Sequence, residues 1–283
     1  MHTNLTDIAE LSRLKDILES IASEGRFALA YSGGLDSRFL AFAAGRLGFS
    51  PVLLHIIGPQ IAPDETAQAL HDAEAMGLEA LCVPASSLSM PELAHAGKDR
   101  CYVCKRHLFE ELLRIARDSN LRGAVCDGTN ASDLTAFRPG ARAIRELGIR
   151  SPLAEAGIEK RRIREIAREI GMPNPEQAAR PCLLTRFPYG IQPSQSALAA
   201  VADAELFVGR DDFGSKLRYR IRMPETGLTL LHVSAASLAA AEPDSYKARA
   251  ALDALLQRLA KKFGDRLPGL RAEVLEKLSG YYD

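Results

Sequence analysis

Ser32-Gly33-Gly34-Leu35-Asp36-Ser37 lies between a short apolar run and an Ala/Leu/Phe-rich stretch. Two adjacent glycines let the backbone turn so that successive N–H groups face one point, and no side chain blocks the approach. A helix beginning there adds the positive end of its dipole, and the Ser32 and Ser37 hydroxyls add donors. That combination suits a phosphate or pyrophosphate. The segment is neither a Gly-Lys-Ser phosphate loop nor the dinucleotide fingerprint. Asp36 is an odd neighbour for phosphates unless a divalent cation bridges them, so it is assigned to Mg. A plain strand-to-helix turn is the competing reading, because Ser-Gly and Gly-Gly are common in turns.

A second signal is sulfur. Cys101 and Cys104 stand three apart at the start of a predicted helix, on one face, so both can reach one metal atom or cluster. Two thiolates leave a zinc or iron–sulfur site incomplete. Cys182 is the natural third, and Arg180 and Arg186 on either side of it favour the thiolate. Three thiolates on a 4Fe-4S cluster leave one iron open, which can hold an extra sulfide and deliver it as a nucleophile. An unused reduced pair and a zinc staple are the plainer alternatives. Cys82 and Cys126 fall in predicted buried strands and read as small core residues.

These groups need a frame. Leu11, Leu14, Leu18 and Ile21 share one helical face within residues 5–23. Strands are predicted over 27–31, 52–57, 78–83 and 123–127, and helices over 38–47, 63–76, 102–117 and 159–170. That rhythm gives an α/β fold with a doubly wound parallel sheet and helices on both faces. Prolines break up 173–193 into loop. Two strands (216–223 and 228–233) and a helix (249–261) follow. Residues 1–190 are therefore assigned to a phosphate-loop domain and 191–283 to a smaller α+β C-terminal domain.

Composition narrows the classes. Lys+Arg and Asp+Glu are both 36, so the net charge is zero and binding of nucleic acid through overall basicity is excluded. Aromatics at 6% and no Trp weaken any base-stacking platform. No apolar run is long enough to span a membrane, and Met1-His2-Thr3-Asn4 does not open a secretory signal, so a cytoplasmic location is expected. A basic stretch from Arg138 to Arg168 sets a local positive field, in which Arg138 and Arg150 are read as functional and the helix-borne Lys160, Arg161 and Arg164 as a solvated face.

The hexapeptide resembles the PP-loop of ATP pyrophosphatases, which adenylate a carboxylate or carbonyl oxygen and release pyrophosphate. More of the chain resembles the LarE family of ATP-dependent sulfur transferases, which build the nickel-pincer cofactor of lactate racemase. The likeness rests on Ser32–Ser37, on Arg100-Cys101-Tyr102-Val103-Cys104-Lys105 and on Asp127-Gly128-Thr129-Asn130-Ala131-Ser132-Asp133-Leu134. It continues through Arg138-Pro139-Gly140, Arg150-Ser151-Pro152-Leu153, Glu155-Ala156-Gly157, and Cys182 with Arg186-Phe187-Pro188-Tyr189-Gly190.

The resemblance implies ATP on Ser32, Gly33, Gly34, Asp36 and Ser37, Arg138 beside it, and a pyridinium biscarboxylate mononucleotide as small-molecule substrate. Each carboxylate would be adenylated and converted to a thiocarboxylate. Sulfur would come from a 4Fe-4S cluster on Cys101, Cys104 and Cys182, or from Cys182 itself, left as dehydroalanine. The family places an acid at Glu205 and substrate-phosphate arginines at Arg220 and Arg222, and so implies a catalytic set of Cys182, Asp36 and Glu205. On residues alone, Arg218, Arg220 and Arg222 equally read as one outward strand face. His232 stands where an acid is expected. Members often form hexamers, which implies a homo-oligomer. The rival readings are a tRNA thiolase, an ammonia-dependent amidating synthetase and a non-catalytic nucleotide sensor.

Overall fold

The computed structural model describes residues 5–134 and 139–282. The chain divides into two compact units. One comprises Met1–Gly58, Asp64–Ser87 and Asp99–Arg180, the other Pro59–Pro63, Leu88–Lys98 and Pro181–Asp283.

In the first unit strands and helices alternate: α1 (Ala9–Ile21), β1 (Ala28–Ala30), α2 (Leu35–Arg46), β2 (Val52–Ile57), α3 (Pro63–Ala75), β3 (Ala80–Pro84), α4 (Arg100–Asp118), β4 (Val125–Cys126), α5 (Pro139–Glu146), α6 (Pro152–Glu155) and α7 (Lys160–Glu169). The strands form one parallel sheet in the order β3-β2-β1-β4. Strand residues alternate between faces, as the period of two requires. Leu29, Leu53 and Cys126 pack with the apolar stripes of α1, α2 and α7, including Leu14, Phe39 and Ile163. Ala28, Val52 and Leu54 pack with Phe109, Leu112 and Ile144 of α4 and α5 on the other side. The parallel α/β sheet with helices on both faces matches the expectation. The sheet reverses direction of growth at β1, whose neighbours are β2 and β4, and ligands bind outside the carboxyl ends of strands at such a point.

Cys82 departs from the buried position expected of it. β3 is an edge strand, so only Val83 is buried and Cys82 is exposed. Cys126, on β4, is fully buried, and burial pushes its thiol well above the usual range.

The second unit holds α8 (Gln195–Arg210), β5 (Tyr219–Glu225), β6 (Leu228–Ser234), α9 (Ala235–Ala241), α10 (Ser245–Phe263) and β7 (Arg271–Leu275). β5 and β6 pair antiparallel, and β7 adds to β6 in parallel. Ser194 caps α8 through the Ala197 amide, and Asp244 caps α10 through those of Tyr246 and Lys247. Ala248, Leu252, Leu255 and Leu259 form the buried stripe of α10. Among the described residues, no helix is long and apolar enough to cross a membrane.

Candidate functional site

Ser32–Ser37 joins β1 to α2 at the point where the sheet reverses. Gly33 has φ +72°, and a Cβ built on it would lie 2.6 Å from Ala69 Cβ of α3, so the position demands glycine twice over. Gly34 is the N-cap of α2 and brings no side-chain oxygen to its first turn. The first intrahelical bond runs from the Arg38 amide to the Gly34 carbonyl, so the preceding helical N–H groups are not used within the helix. Ser32 Oγ accepts from the Gly34 amide at 3.2 Å and lies 3.2 Å from Ser37 Oγ. Beneath the loop, buried His55 hydrogen-bonds the Tyr31 carbonyl at 2.9 Å, and burial holds its pKa below the usual histidine range.

Three later segments surround this loop. Gln177 donates to the Gly33 carbonyl at 3.0 Å. Gly128 follows β4 so closely that an added Cβ would lie 2.7 Å from the Ser37 nitrogen. Beside it the buried Asp127 carboxylate accepts from Ser151 Oγ at 2.7 Å and Thr129 Oγ1 at 2.5 Å. Lys105 approaches the same carboxylate at 3.7 Å, which ties the cysteine-bearing helix α4 to the end of β4. At the start of α7, Lys160 Nζ reaches Asp36 Oδ2 at 2.5 Å. Asp36 Oδ1 is buried without a hydrogen-bond partner, an arrangement that fits a cation ligand. Arg150 is bound by Glu155 at 2.9 and 2.5 Å, and this pair holds the Glu155 carboxyl below the usual carboxylate range. Arg138 lies outside the described residues.

Cys101 and Cys104 stand near the start of α4, Cys101 exposed and Cys104 half-buried with its sulfur 3.0 Å from Ser87 Oγ. Cys182 is exposed in the second unit, just before the turn Leu183–Arg186. Among the described residues, no three His, Cys, Asp or Glu side chains are gathered to hold a metal ion. The two arginines that flank Cys182 in sequence are both bound to carboxylates. Arg180 meets Asp64 and Glu65 at 2.9 Å each, and Arg186 meets Glu205.

That last pair is buried. Arg186 Nε and Nη2 donate to Glu205 Oε1 and Oε2 at 2.8 and 2.9 Å, and the Ile221 amide donates to Oε1 at 2.9 Å. Exposure falls from Arg218, exposed just before β5, through Arg220, half-buried, to Arg222, buried, so the three do not form a solvated face. Arg222 donates to His232 Nδ1 and to the Leu278 carbonyl and lies over the Tyr281 ring. His232 Nε2 is 3.3 Å from Glu273, without hydrogen-bond geometry. Burial and the Arg222 charge keep His232 below the usual histidine range.

No family model matches the chain. Over 202 residues it is 35% identical to an uncharacterized protein of Synechocystis, covering 70% of this chain and 74% of that one. Over 203 residues it is 32% identical to an uncharacterized protein of Methanocaldococcus jannaschii, covering 71% and 76%. Over 208 residues it is 31% identical to the pyridinium-3,5-bisthiocarboxylic acid mononucleotide synthase of Lactiplantibacillus plantarum, covering 71% and 75%. The chain belongs to the LarE family.

Within this LarE-family chain the first unit brings together the loop, Asp127–Asn130 and the start of α7, and Lys105 links α4 to them. Glu205, Arg220 and Arg222 lie in the second unit on α8 and β5. Lys160, read from sequence as part of a solvated helix face, instead meets Asp36, and Gln177, not singled out from sequence, meets the loop at Gly33. Lys160 opens a uniformly basic run, and only its approach to Asp36 separates it from Arg161 and Arg164.

Proposed function

We propose that this chain is an enzyme of nickel-pincer cofactor synthesis, an ATP-dependent sulfur transferase acting on a pyridinium carboxylate mononucleotide. Membership of the LarE family carries the reading, and the loop at the reversal point of the sheet supports it.

The phosphates of ATP rest on Ser32, Gly33, Gly34 and Ser37. Asp36 is the residue that would hold Mg, which would offset charge on the phosphates when bound. A substrate carboxylate oxygen attacks the α-phosphorus, the bond from that phosphorus to the bridging oxygen breaks, and pyrophosphate leaves. The loop amides and hydroxyls stabilise charge growing on it. Arg138, Arg220 and Arg222 are assigned to phosphate groups; the two terminal nitrogens of Arg222 are engaged by His232 and the Leu278 carbonyl. The Cys182 thiolate then attacks the acyl carbon and AMP departs, which gives a thioester. Loss of the Cys182 α-proton and cleavage of its Cβ–S bond release the thiocarboxylate and leave dehydroalanine. Glu205 supports this segment by fixing Arg186.

Incubation with ATP, Mg and the biscarboxylate under anaerobic conditions tests the reading. AMP, pyrophosphate and a polypeptide lighter by one H2S are expected. An unchanged polypeptide carrying iron and acid-labile sulfide, with product formed, moves the sulfur source to a cluster on Cys101, Cys104 and Cys182. Full turnover by Cys182→Ala with ammonia as acceptor overturns sulfur transfer in favour of amidation.

A further inference from the structure

Arg222 is a buried cation held by neutral groups. Its exposure is 4%, and its terminal nitrogens donate to His232 Nδ1 at 2.5 Å and to the Leu278 carbonyl. Its Nε is buried with no hydrogen-bond partner. Glu205 is bound to Arg186, and Glu273 faces His232 and Arg271, so among the described residues no carboxylate forms an ion pair with Arg222. A buried charge satisfied by neutral acceptors alone is costly. An anion at this place would relieve that cost through charge-assisted hydrogen bonds.

The group standing there belongs to the end of the chain. Residues 276–282 follow β7 and run over Arg222. The Tyr281 ring centre lies 4.8 Å from the guanidinium carbon and 4.4 Å from the His232 ring. Tyr282 donates its hydroxyl to the Arg186 carbonyl at 3.3 Å, four residues after Cys182. The segment covers a buried arginine, yet none of its own residues is buried, and Tyr281 is 39% exposed. A cover with so little burial of its own opens at small cost.

We propose that residues 276–282 are a displaceable strap. The Leu278 carbonyl stands in for a phosphate oxygen in the free protein, and the phosphate of the incoming mononucleotide lifts the strap as it takes Arg222. Lifting also breaks the Tyr282 bond to the segment that carries Cys182. The inference rests on the assignment of Arg222 to a substrate phosphate in the proposed function.

Nicotinic acid mononucleotide, a pyridinium carboxylate mononucleotide, is the probe, and calorimetry reads its affinity. A strap closed in about nine molecules of ten lowers the apparent affinity ~10-fold. A chain ending at Lys277 should therefore bind the probe ~10-fold more tightly than the full chain, and Tyr281→Ala should shift affinity in the same direction. Arg222→Gln in the shortened chain should abolish the gain. Carboxypeptidase should trim the full chain faster when the probe is present. Circular dichroism checks that each variant is folded. Equal or weaker binding by the folded shortened chain and by Tyr281→Ala overturns the strap, as does a probe that slows trimming or a gain that survives Arg222→Gln. If the shortened chain binds more tightly but neither chain forms AMP from ATP and the biscarboxylate, the sulfur-transferase reading fails and the strap stands. If both chains turn over with equal affinities, the strap alone fails. No binding by either chain overturns both.

Discussion

Removing the Glu205 side chain is the sharpest test of the second unit. Arg186 is 2% exposed and Glu205 9%, and their two parallel hydrogen bonds are supplemented by the Ile221 amide on Oε1. Glu205→Ala strands a buried guanidinium and a buried amide at once. Breaking one side of such a pair costs about 3–5 kcal/mol, and the orphaned amide places this variant at the upper end. Glu205→Gln still offers one oxygen to the Ile221 amide and loses mainly the charge, so about 1–3 kcal/mol is expected. Replacing both partners, Arg186→Met with Glu205→Leu, removes both charges and should recover the part of the loss due to the unpaired charge, though not that of the orphaned Ile221 amide, since apolar pairs of similar volume often replace buried ion pairs without penalty. The chain has no Trp, so urea unfolding is followed by far-ultraviolet circular dichroism. A Glu205→Ala variant within about 1 kcal/mol of wild type, or a double variant no better than the single, would refute the buried-pair account. Turnover of folded Glu205→Gln separates holding Arg186 from chemistry. A loss of rate with the fold intact assigns Glu205 a role beyond support.

Gly33→Ala combines left-handed backbone strain of about 1–2 kcal/mol with overpacking against Ala69 of about 1–3 kcal/mol. Gly48→Ala, at φ +92° with open space around its Cβ, isolates the strain. Equal unfolding midpoints for the two variants would remove the packing contribution. Ser37→Ala should slow adenylation by ~10-fold or more, the scale for one donor to developing charge, and unchanged pyrophosphate release would discard that role. Buried His55 and His232 both have folded pKa values below the ordinary range, so the unfolded chain binds more protons as pH falls. Their contribution is fully present above the unfolded value of about 6.5 and is lost below it, at no more than about 1.4 kcal/mol per pH unit for each. Urea midpoints that stay flat from about pH 7.5 to 5 would contradict this, and His55→Gln with His232→Gln should flatten the profile.

Much of the first unit is legible in sequence because its burial is periodic. Leu11, Leu14, Leu18 and Ile21 fall on one buried stripe, and β2 occupies the whole of its apolar run. Cys82 misleads because an apolar run looks the same in a central and an edge strand, and only the sheet order distinguishes them. α8 escapes notice for the opposite reason. Its Ala-rich sequence, from Gln195 to Arg210, buries Ala200, Val201 and Ala202 in succession, so no single stripe emerges. β7 alternates charged with apolar residues, and its partner β6 is reached only across α9 and α10. For Arg222 the period of two points outward with Arg220, yet His232 and the residues near the C-terminus cover it. Local pattern cannot report such coverage, because the covering residues come from distant parts of the chain.

If Ser32–Ser37 is the proposed phosphate loop, it shows why spacing alone locates a site without explaining its strength. Its hexapeptide supplies flexible glycines, and flexible donors must be fixed before they can stabilise charge in a transition state. Fixing comes from elsewhere: Ala69 closes on Gly33, Gly128 presses on Ser37, Gln177 holds the Gly33 carbonyl, and Lys160 holds Asp36. Each belongs to a segment whose position depends on where the sheet reverses at β1. Because the clamps come from separate segments, loosening the contact made by Ala69, Gly128 or Gln177 should widen the range of amide orientations and, on the proposed function, lower the rate of adenylation while the other clamps keep nucleotide affinity. A loop held only by its own sequence would instead lose affinity and rate together.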